Sequence, residues 1–496
     1  MLAQTVKISF YLPPPVLSQK EQERQEDLLT QHPKERKYLS FAEYKDGFSI
    51  SEEEGEYLRE LATRTGSKIE EHLLERKAVV YATANFIQTI ATEKNIRLDH
   101  NLGEIHIDKA ESAPVSKGYR GFVKQNVEQR GSYKTYQGQG HFVSEFAQAY
   151  NFPTGDGAGQ TIGLIELGGD FNKVDIWMYF SGLNMEVPTI EVVGYPTKLT
   201  NAATTLKNNL EVTADIQVAG TLAPKAKLVL YYGETILEAV KSALSDSIHQ
   251  PDVLSISWGG SELTTSAIEL EELSQAFREA AFRGITVIAA SGDHGAYNGL
   301  PIPNVMTPVN DPLVLGCGGT EDYLWGGYLT GNKAWTGSGG GYSRRKPTPK
   351  YQQKASNIYL SRHPQYLPFN PMNGRGVPDI AANASPNSGY KIVFNGQWMP
   401  MGGTSLSTPL WAALIARLNQ ALGYKLGFIN ELLYSLEGSP AFIQVTNGNN
   451  GLYLADYGWN PCTGLGEPNG KLLLQAIKDL EPKAEPKTPP KTKAKK

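Results

Sequence analysis

Ser405 sits in Gly402-Gly403-Thr404-Ser405-Leu406-Ser407-Thr408-Pro409, a small-residue turn that runs straight into the apolar stretch LWAALIARL. A serine in this setting could act as a nucleophile. The glycines allow close backbone approach. A helix start presents unpaired N–H groups and the positive end of its dipole to a developing oxyanion. Pro409 is expected inside the first helical turn, where its missing donor costs little. The same residues also read as an ordinary N-cap after a glycine turn, so the decision rests on finding partners for Ser405.

A nucleophilic serine needs a base. Of the 8 histidines, His294 in SGDHGA is the candidate, and it also reads as a plain loop residue. Carboxylates offer more. TTLKNNLEVTADIQVA lacks Pro and Gly and predicts a helix, on which Glu211 and Asp215, four apart, share a face. An ExxxD pair is commonly a solvated polar face. Here Leu210, Val212, Ile216 and Val218 flank it, so the helix is expected to be buried and its acids to have a role. A third acid, Asp293, follows the apolar run Val287-Ile288-Ala289-Ala290 at a glycine turn. That is the pattern of a buried parallel strand delivering a residue at its C-terminal end, the edge where open α/β sheets bind ligands. The other reading of Asp293 is an Asx-turn stabiliser.

Together, GGTSLSTP with Ser405, LEVTAD with Glu211 and Asp215, and SGDHGA with Asp293 resemble the motifs of the sedolisin family of serine-carboxyl peptidases. The likeness continues in order through FAQAYNFP (146–153), TIGLIELGG (161–169), SISWGG (255–260), GCGGT (316–320), GSGGGYSRR (337–345), GRGVPDIAANASP (374–386) and TGLGEPN (463–469). It spans about residues 135 to 475, and TIGLIELGG and SISWGG resemble the kumamolisin branch. The His-Gly-Thr segment expected of a histidine-based subtilisin is missing upstream of the serine.

The resemblance implies roles. Ser405 is the expected nucleophile, Glu211 its general base and Asp215 the supporting acid. Two carboxyls so close share a proton, which suits acid conditions where a histidine base would already be protonated. Asp293 is expected in the oxyanion hole, protonated so that it can donate. Glu166 and Trp258 match positions that extend the network behind the Glu–Asp pair, and Trp258 reads equally as a core aromatic.

The elements that must position these groups follow from composition. Of the 50 glycines, residues 1–130 hold 6, leaving 44 for the remainder. The resemblance implies an α/β, subtilisin-like catalytic domain (141–480) with a mainly parallel central sheet flanked by helices, preceded by an α+β, ferredoxin-like pro-domain (1–117). Within the latter, VKISFYL and KAVVYAT predict strands, while YLSFAEYKDGF, SEEEGEYLRELATRTG and TANFIQTIATEKN predict helices. The polar, glycine-dotted segment 118–140 reads as a linker with a processing site. Acid is expected to protonate carboxylates that hold the N-terminal domain in place and so to loosen it. Residues 481–496, with 6 Lys and 4 Pro, read as a disordered basic tail.

Other function classes are narrowed by charge and hydropathy. A net charge of −4 leaves no nucleic-acid footprint. No apolar run reaches membrane-spanning length, so neither a nucleic-acid nor a membrane partner is expected. Two cysteines, Cys317 and Cys462, make no disulfide framework, and neither suggests thiol chemistry. The family resemblance favours an extracellular location, although no standard export signal is visible. The expected partners are protein or peptide substrates, and the protein is expected to be a monomer.

The family also implies calcium near the C-terminus, held by aspartates in DIT and GWDP segments. Here these read Gln444-Val445-Thr446 and Gly458-Trp459-Asn460-Pro461. Losing two charges should weaken calcium severely, with Asp456 available to restore one, so no stably bound metal or other cofactor is expected. The resemblance implies an acid-acting endopeptidase. The alternatives are a catalytically silent relative that binds peptides or acts as a scaffold, and a glycosidase using Glu211 and Asp215, which leaves the Ser405 turn unexplained.

Overall fold

The described residues up to 107 build a small four-stranded sheet with the helix Glu52–Thr65 packed against it. The computed structural model describes residues 140–196 and 201–482, together with 6–11, 29–48, 52–72, 77–83, 105–107 and positions 23, 26, 85, 86 and 89. The linker up to residue 139 and the tail from 483 therefore lie outside the described residues. In the N-terminal part, strand β1 (Val6–Tyr11) is followed by helices α1 (Phe41–Phe48) and α2 (Glu52–Thr65), then by β2 (Lys68–His72), β3 (Lys77–Ala82) and β4 (Ile105–Ile107). The sheet order is β2-β3-β1-β4 with every pair antiparallel, the ferredoxin-like arrangement.

One local expectation changes and one strand is added. The first helix begins at Phe41 rather than Tyr38, because Ser40 and Glu43 form a reciprocal cap. The Ser40 N–H donates to Glu43 Oε2 at 2.8 Å and the Glu43 N–H to Ser40 Oγ at 3.2 Å. Strand β2, KIEEH, has one apolar residue and sits at the sheet edge, where pairing rather than hydrophobic pattern defines it.

The chain just before α1 docks on the C-terminal part. Arg36 is 7% exposed, and its guanidinium donates to the carbonyls of Phe428 at 2.5 Å and Leu426 at 3.3 Å. The Leu39 N–H donates to the Phe282 carbonyl at 2.8 Å, and Lys34 pairs with Glu481 at 2.5 Å.

The larger part is a wound sheet. Its strands are β5 (Thr161–Glu166), β6 (Ile190–Val193), β7 (Lys227–Tyr232), β8 (Val253–Ile256), β9 (Thr286–Ala290), β10 (Leu315–Trp325), β11 (Tyr328–Ala334) and β12 (Ile380–Asn383). Between them run α3 (Lys173–Gly182), α4 (Ala202–Leu222), α5 (Ile236–Ser245) and α6 (Ala267–Phe282), and α7 (Thr404–Leu422) follows the last strand. The order is β11-β10-β9-β8-β5-β7-β6, with β12 also beside β10, and only the β10–β11 hairpin is antiparallel. Alternate residues divide between two cores. On β7, Leu228 and Leu230 join the side shared with α4 and α7, while Val229 and Tyr231 join the side shared with α5 and α6. The chain passes from β7 to β8 across β5, so the C-terminal ends of β5, β8 and β9 form the switch-point edge.

A pair of buried acids lies away from this edge. Asp322 on β10 accepts from the Tyr150 hydroxyl and neighbours Glu467, which accepts from Asn332 Nδ2 at 2.7 Å. Burial, and then the adjacent Asp322 charge, pushes the Glu467 carboxyl well above the usual range.

Candidate active site

Each candidate acid sits where its element delivers it. Glu211 and Asp215 lie mid-way along α4, at 2% and 0% exposure, so the apolar flanks do bury this helix. Glu166 ends β5, fully buried, and accepts from Trp258 Nε1 at 3.0 Å. Trp258, just past β8, is therefore both a core aromatic and a hydrogen-bond donor. Burial pushes the Glu166 carboxyl well above its ordinary range. The indole hydrogen bond opposes this, and the neighbouring Glu211 charge adds to it.

Ser405 is the second residue of α7 and 3% exposed. Its hydroxyl donates to the Ser257 carbonyl at 3.4 Å. Asp215 reaches it through Ser257, whose Oγ lies 2.8 Å from Asp215 Oδ2 and 3.2 Å from the Ser405 carbonyl oxygen. Because α7 begins at Thr404, Pro409 falls in the second turn rather than the first. Its ring nitrogen occupies the position that would otherwise bond the Ser405 carbonyl.

Asp293 follows β9 and lines one cleft with Ser405, Ser257, Thr404 and His294. Its Oδ1 accepts from the Thr404 N–H at 2.7 Å and from the Thr404 hydroxyl at 2.9 Å. The Asx-turn reading gives way to this link across the fold. Gly403, at φ +141°, makes the approach possible, since a Cβ there would lie 3.0 Å from Asp293 Oδ2. The glycine thus admits a carboxyl of the protein itself.

Two contributors were not singled out from sequence, Ser257 and Thr404. Both belong to quoted motifs, SISWGG and GGTS, and both act through hydroxyls, which leave no periodicity to read.

Cys317 and Cys462 are fully buried, and burial pushes the Cys317 thiol up to about 12, so neither is a nucleophile. Among the described residues no group of three or more His, Cys, Asp or Glu could hold a metal. The residues at the family's calcium positions do not fit that ion. Asn460 Oδ1 accepts from the N–H groups of Cys462 at 3.1 Å and Thr463 at 3.0 Å. Its amide nitrogen consequently points at the carbonyls of Asp456, Gly458 and Gly464, at 3.0, 3.5 and 3.5 Å, donating where a cation would attract oxygen. Gln444 accepts from the Gly458 N–H at 2.8 Å, and the Asp456 carboxylate pairs with His363 at 3.0 Å and Arg362 at 3.6 Å.

Residues 200–433 match the Subtilase family. Kumamolisin of Bacillus sp. (strain MN-32) is 40% identical over 354 residues, covering 67% of this chain and 63% of its own. Human Tripeptidyl-peptidase 1 is 33% identical over 258 residues, covering 47% and 44%. The chain therefore spans less than two thirds of the length of these curated relatives. Among solved structures, Pseudomonas sedolisin, a serine-carboxyl proteinase complexed with pseudo-iodotyrostatin, superposes with a TM-score of 0.60 at 27% identity over 71% of this chain and 100% of its own.

Proposed function

The chain belongs to the sedolisin family of serine-carboxyl peptidases, on its kumamolisin branch, and from that premise we propose an acid-acting endopeptidase that works through an acyl-enzyme on Ser405. Glu211 takes the Ser405 proton as Oγ attacks the peptide carbonyl, and Asp215 shares the remaining proton with Glu211. Asp293 donates a hydrogen bond to the tetrahedral oxyanion. Its Oδ1 is occupied by two Thr404 donors, so the proton belongs on Oδ2 beside Gly403. Glu211 then protonates the leaving amine, and water hydrolyses the acyl-enzyme by the same route.

The observation that carries this reading is the convergence of Asp293, Ser257 and Ser405 on one cleft, with Asp215 linked to Ser405 through Ser257. A silent peptide-binding relative would have no need of these carboxyls in a buried site, where they cost desolvation. Residues 1–117 act as a pro-domain, 118–140 hold the processing site, 141–480 form the peptidase and 481–496 a basic tail.

The test is digestion of a denatured protein from about pH 3 to about pH 7 by the wild type beside Ser405→Ala. Activity peaking in acid and lost in the variant is expected, together with shortening of the wild type alone by cleavage within 118–140. A peak in neutral or alkaline solution would favour a histidine base such as His294. An active Ser405→Ala would remove the serine from the mechanism.

A further inference from the structure

Met306 forms one wall of the cleft that holds Ser405 and Asp293, and Asn298 stands beside it. The strand Met306–Thr307 pairs antiparallel with Gly260–Ser261, which sets the Met306 backbone opposite Ser261. The Met306 side chain lies across two glycines. A Cβ on Gly292 would meet Met306 Sδ at 2.2 Å, and one on Gly259 would meet Met306 Cε at 2.9 Å. The same point at Gly292 is 2.7 Å from Asn298 Oδ1, so the thioether and that amide oxygen are neighbours. With Met306 in place the cavity is about 20 Å³, room for little more than one water-sized group.

Asn298 is 8% exposed, and its neighbours decide which way its amide points. Its Nδ2 donates to the Asn304 carbonyl at 2.8 Å, so the amide oxygen is the atom turned toward Gly292 and Met306. Asn304 is held in turn, its Oδ1 accepting from Ser261 Oγ at 2.7 Å. Among the described residues nothing donates to Asn298 Oδ1. A buried amide oxygen without a donor is costly. We infer that this oxygen is a specificity acceptor. It takes a hydrogen bond from the side chain of the substrate residue whose carbonyl Ser405 attacks, and so selects an uncharged amide, glutamine or asparagine, at that position.

The inference rests on the serine-carboxyl reading given above. On that reading the attacked carbonyl lies between Ser405 Oγ and Asp293, and the side chain of its own residue is the substrate group nearest this pocket. Met306 gives way on entry, since an unbranched side chain with three rotatable bonds adapts most readily. An apolar side chain would fill the space but leave Asn298 Oδ1 unpaired. A lysine or arginine would bring a charge to a single neutral acceptor. The one carboxyl among the lining residues, Asp293, is already held by Thr404 and is neutral in the proposed mechanism. An amide N–H donates without bringing charge.

The test is kcat/KM at about pH 4 on peptides that differ only in the residue before the cleaved bond: glutamine, methionine, lysine or glutamate. Glutamine should exceed methionine by about tenfold or more, the effect of leaving a buried acceptor unpaired, and should exceed lysine as well. Glutamate has the shape of glutamine but donates only while protonated, so its rate relative to glutamine should fall as the pH is raised to about 6. Asn298→Gly removes the acceptor and suits the φ of +44° at this position, so the glutamine-to-methionine ratio should drop to about one. Asn298→Asp keeps the shape and should raise lysine relative to glutamine. Thermal melting checks that each variant is folded, and the wild-type comparison needs neither. A wild type that cuts the methionine or lysine peptide as fast as the glutamine peptide would overturn the proposal, as would an unmoved ratio in folded Asn298→Gly. Cleavage by Ser405→Ala would instead overturn the reading on which it rests, so the two failures are distinguishable.

Discussion

Thr404 holds Asp293 by two hydrogen bonds to a single carboxyl oxygen, from its N–H at 2.7 Å and its hydroxyl at 2.9 Å. Both donors come from the residue immediately before Ser405. The orientation of the Asp293 carboxyl is thus fixed by the start of the helix that carries the nucleophile.

This fixes how an amide would sit there. In Asp293→Asn the amide oxygen must take the place of Oδ1, since two donors face it, and the NH₂ group must take the place of Oδ2. An amide donates at every pH, whereas a carboxyl donates only when protonated. The fall in kcat between about pH 4 and about pH 7 should therefore be shallower in the variant than in the wild type, even if its acid activity is lower. Parallel profiles would remove Asp293 from oxyanion stabilisation.

Stability should also favour acid. Glu166 and Glu467 both have carboxyls raised well above 4.5 by burial. A raised acid binds its proton more tightly in the folded than in the unfolded chain. Its contribution is fully present below the unfolded value and is lost as pH rises through the folded one. The melting temperature should fall from acid toward neutral and alkaline solution, and Glu467→Gln, which needs no proton, should flatten the slope without touching the active cleft. A slope unchanged in that variant would show that other groups govern it.

Calcium offers a third measurement. The Asn460 amide nitrogen faces three carbonyl oxygens, so chelation should leave the melting temperature of the wild type unchanged. Asn460→Asp brings a carboxylate oxygen among those carbonyls and should lower the melting temperature in chelator, with recovery on adding calcium. A calcium-reversible drop in the wild type would contradict the geometry.

Much of this was legible in the sequence because the groups concerned sit in strong local patterns. The uninterrupted helical run around Glu211, the strand ending at Asp293 and the glycine turn before Ser405 each announce their element. The limits are equally specific. Pro409 is displaced by one turn because the helix begins on Thr404, a boundary set by Asp293 from a distant strand. Ser257 carries no local signal, since its partners Asp215 and Ser405 meet it only in the folded chain. The edge strand β2 exists through pairing with β3, not through its own apolar pattern.

The Arg36 contact bears on how the two parts of the molecule come apart. Its acceptors are main-chain carbonyls, which do not titrate at all. Acid can discharge the Lys34–Glu481 pair, but it leaves this second attachment intact. On the processing proposed above, severing the connecting chain and losing the N-terminal portion would thus be separate events, with a nicked two-fragment particle as the expected intermediate between them.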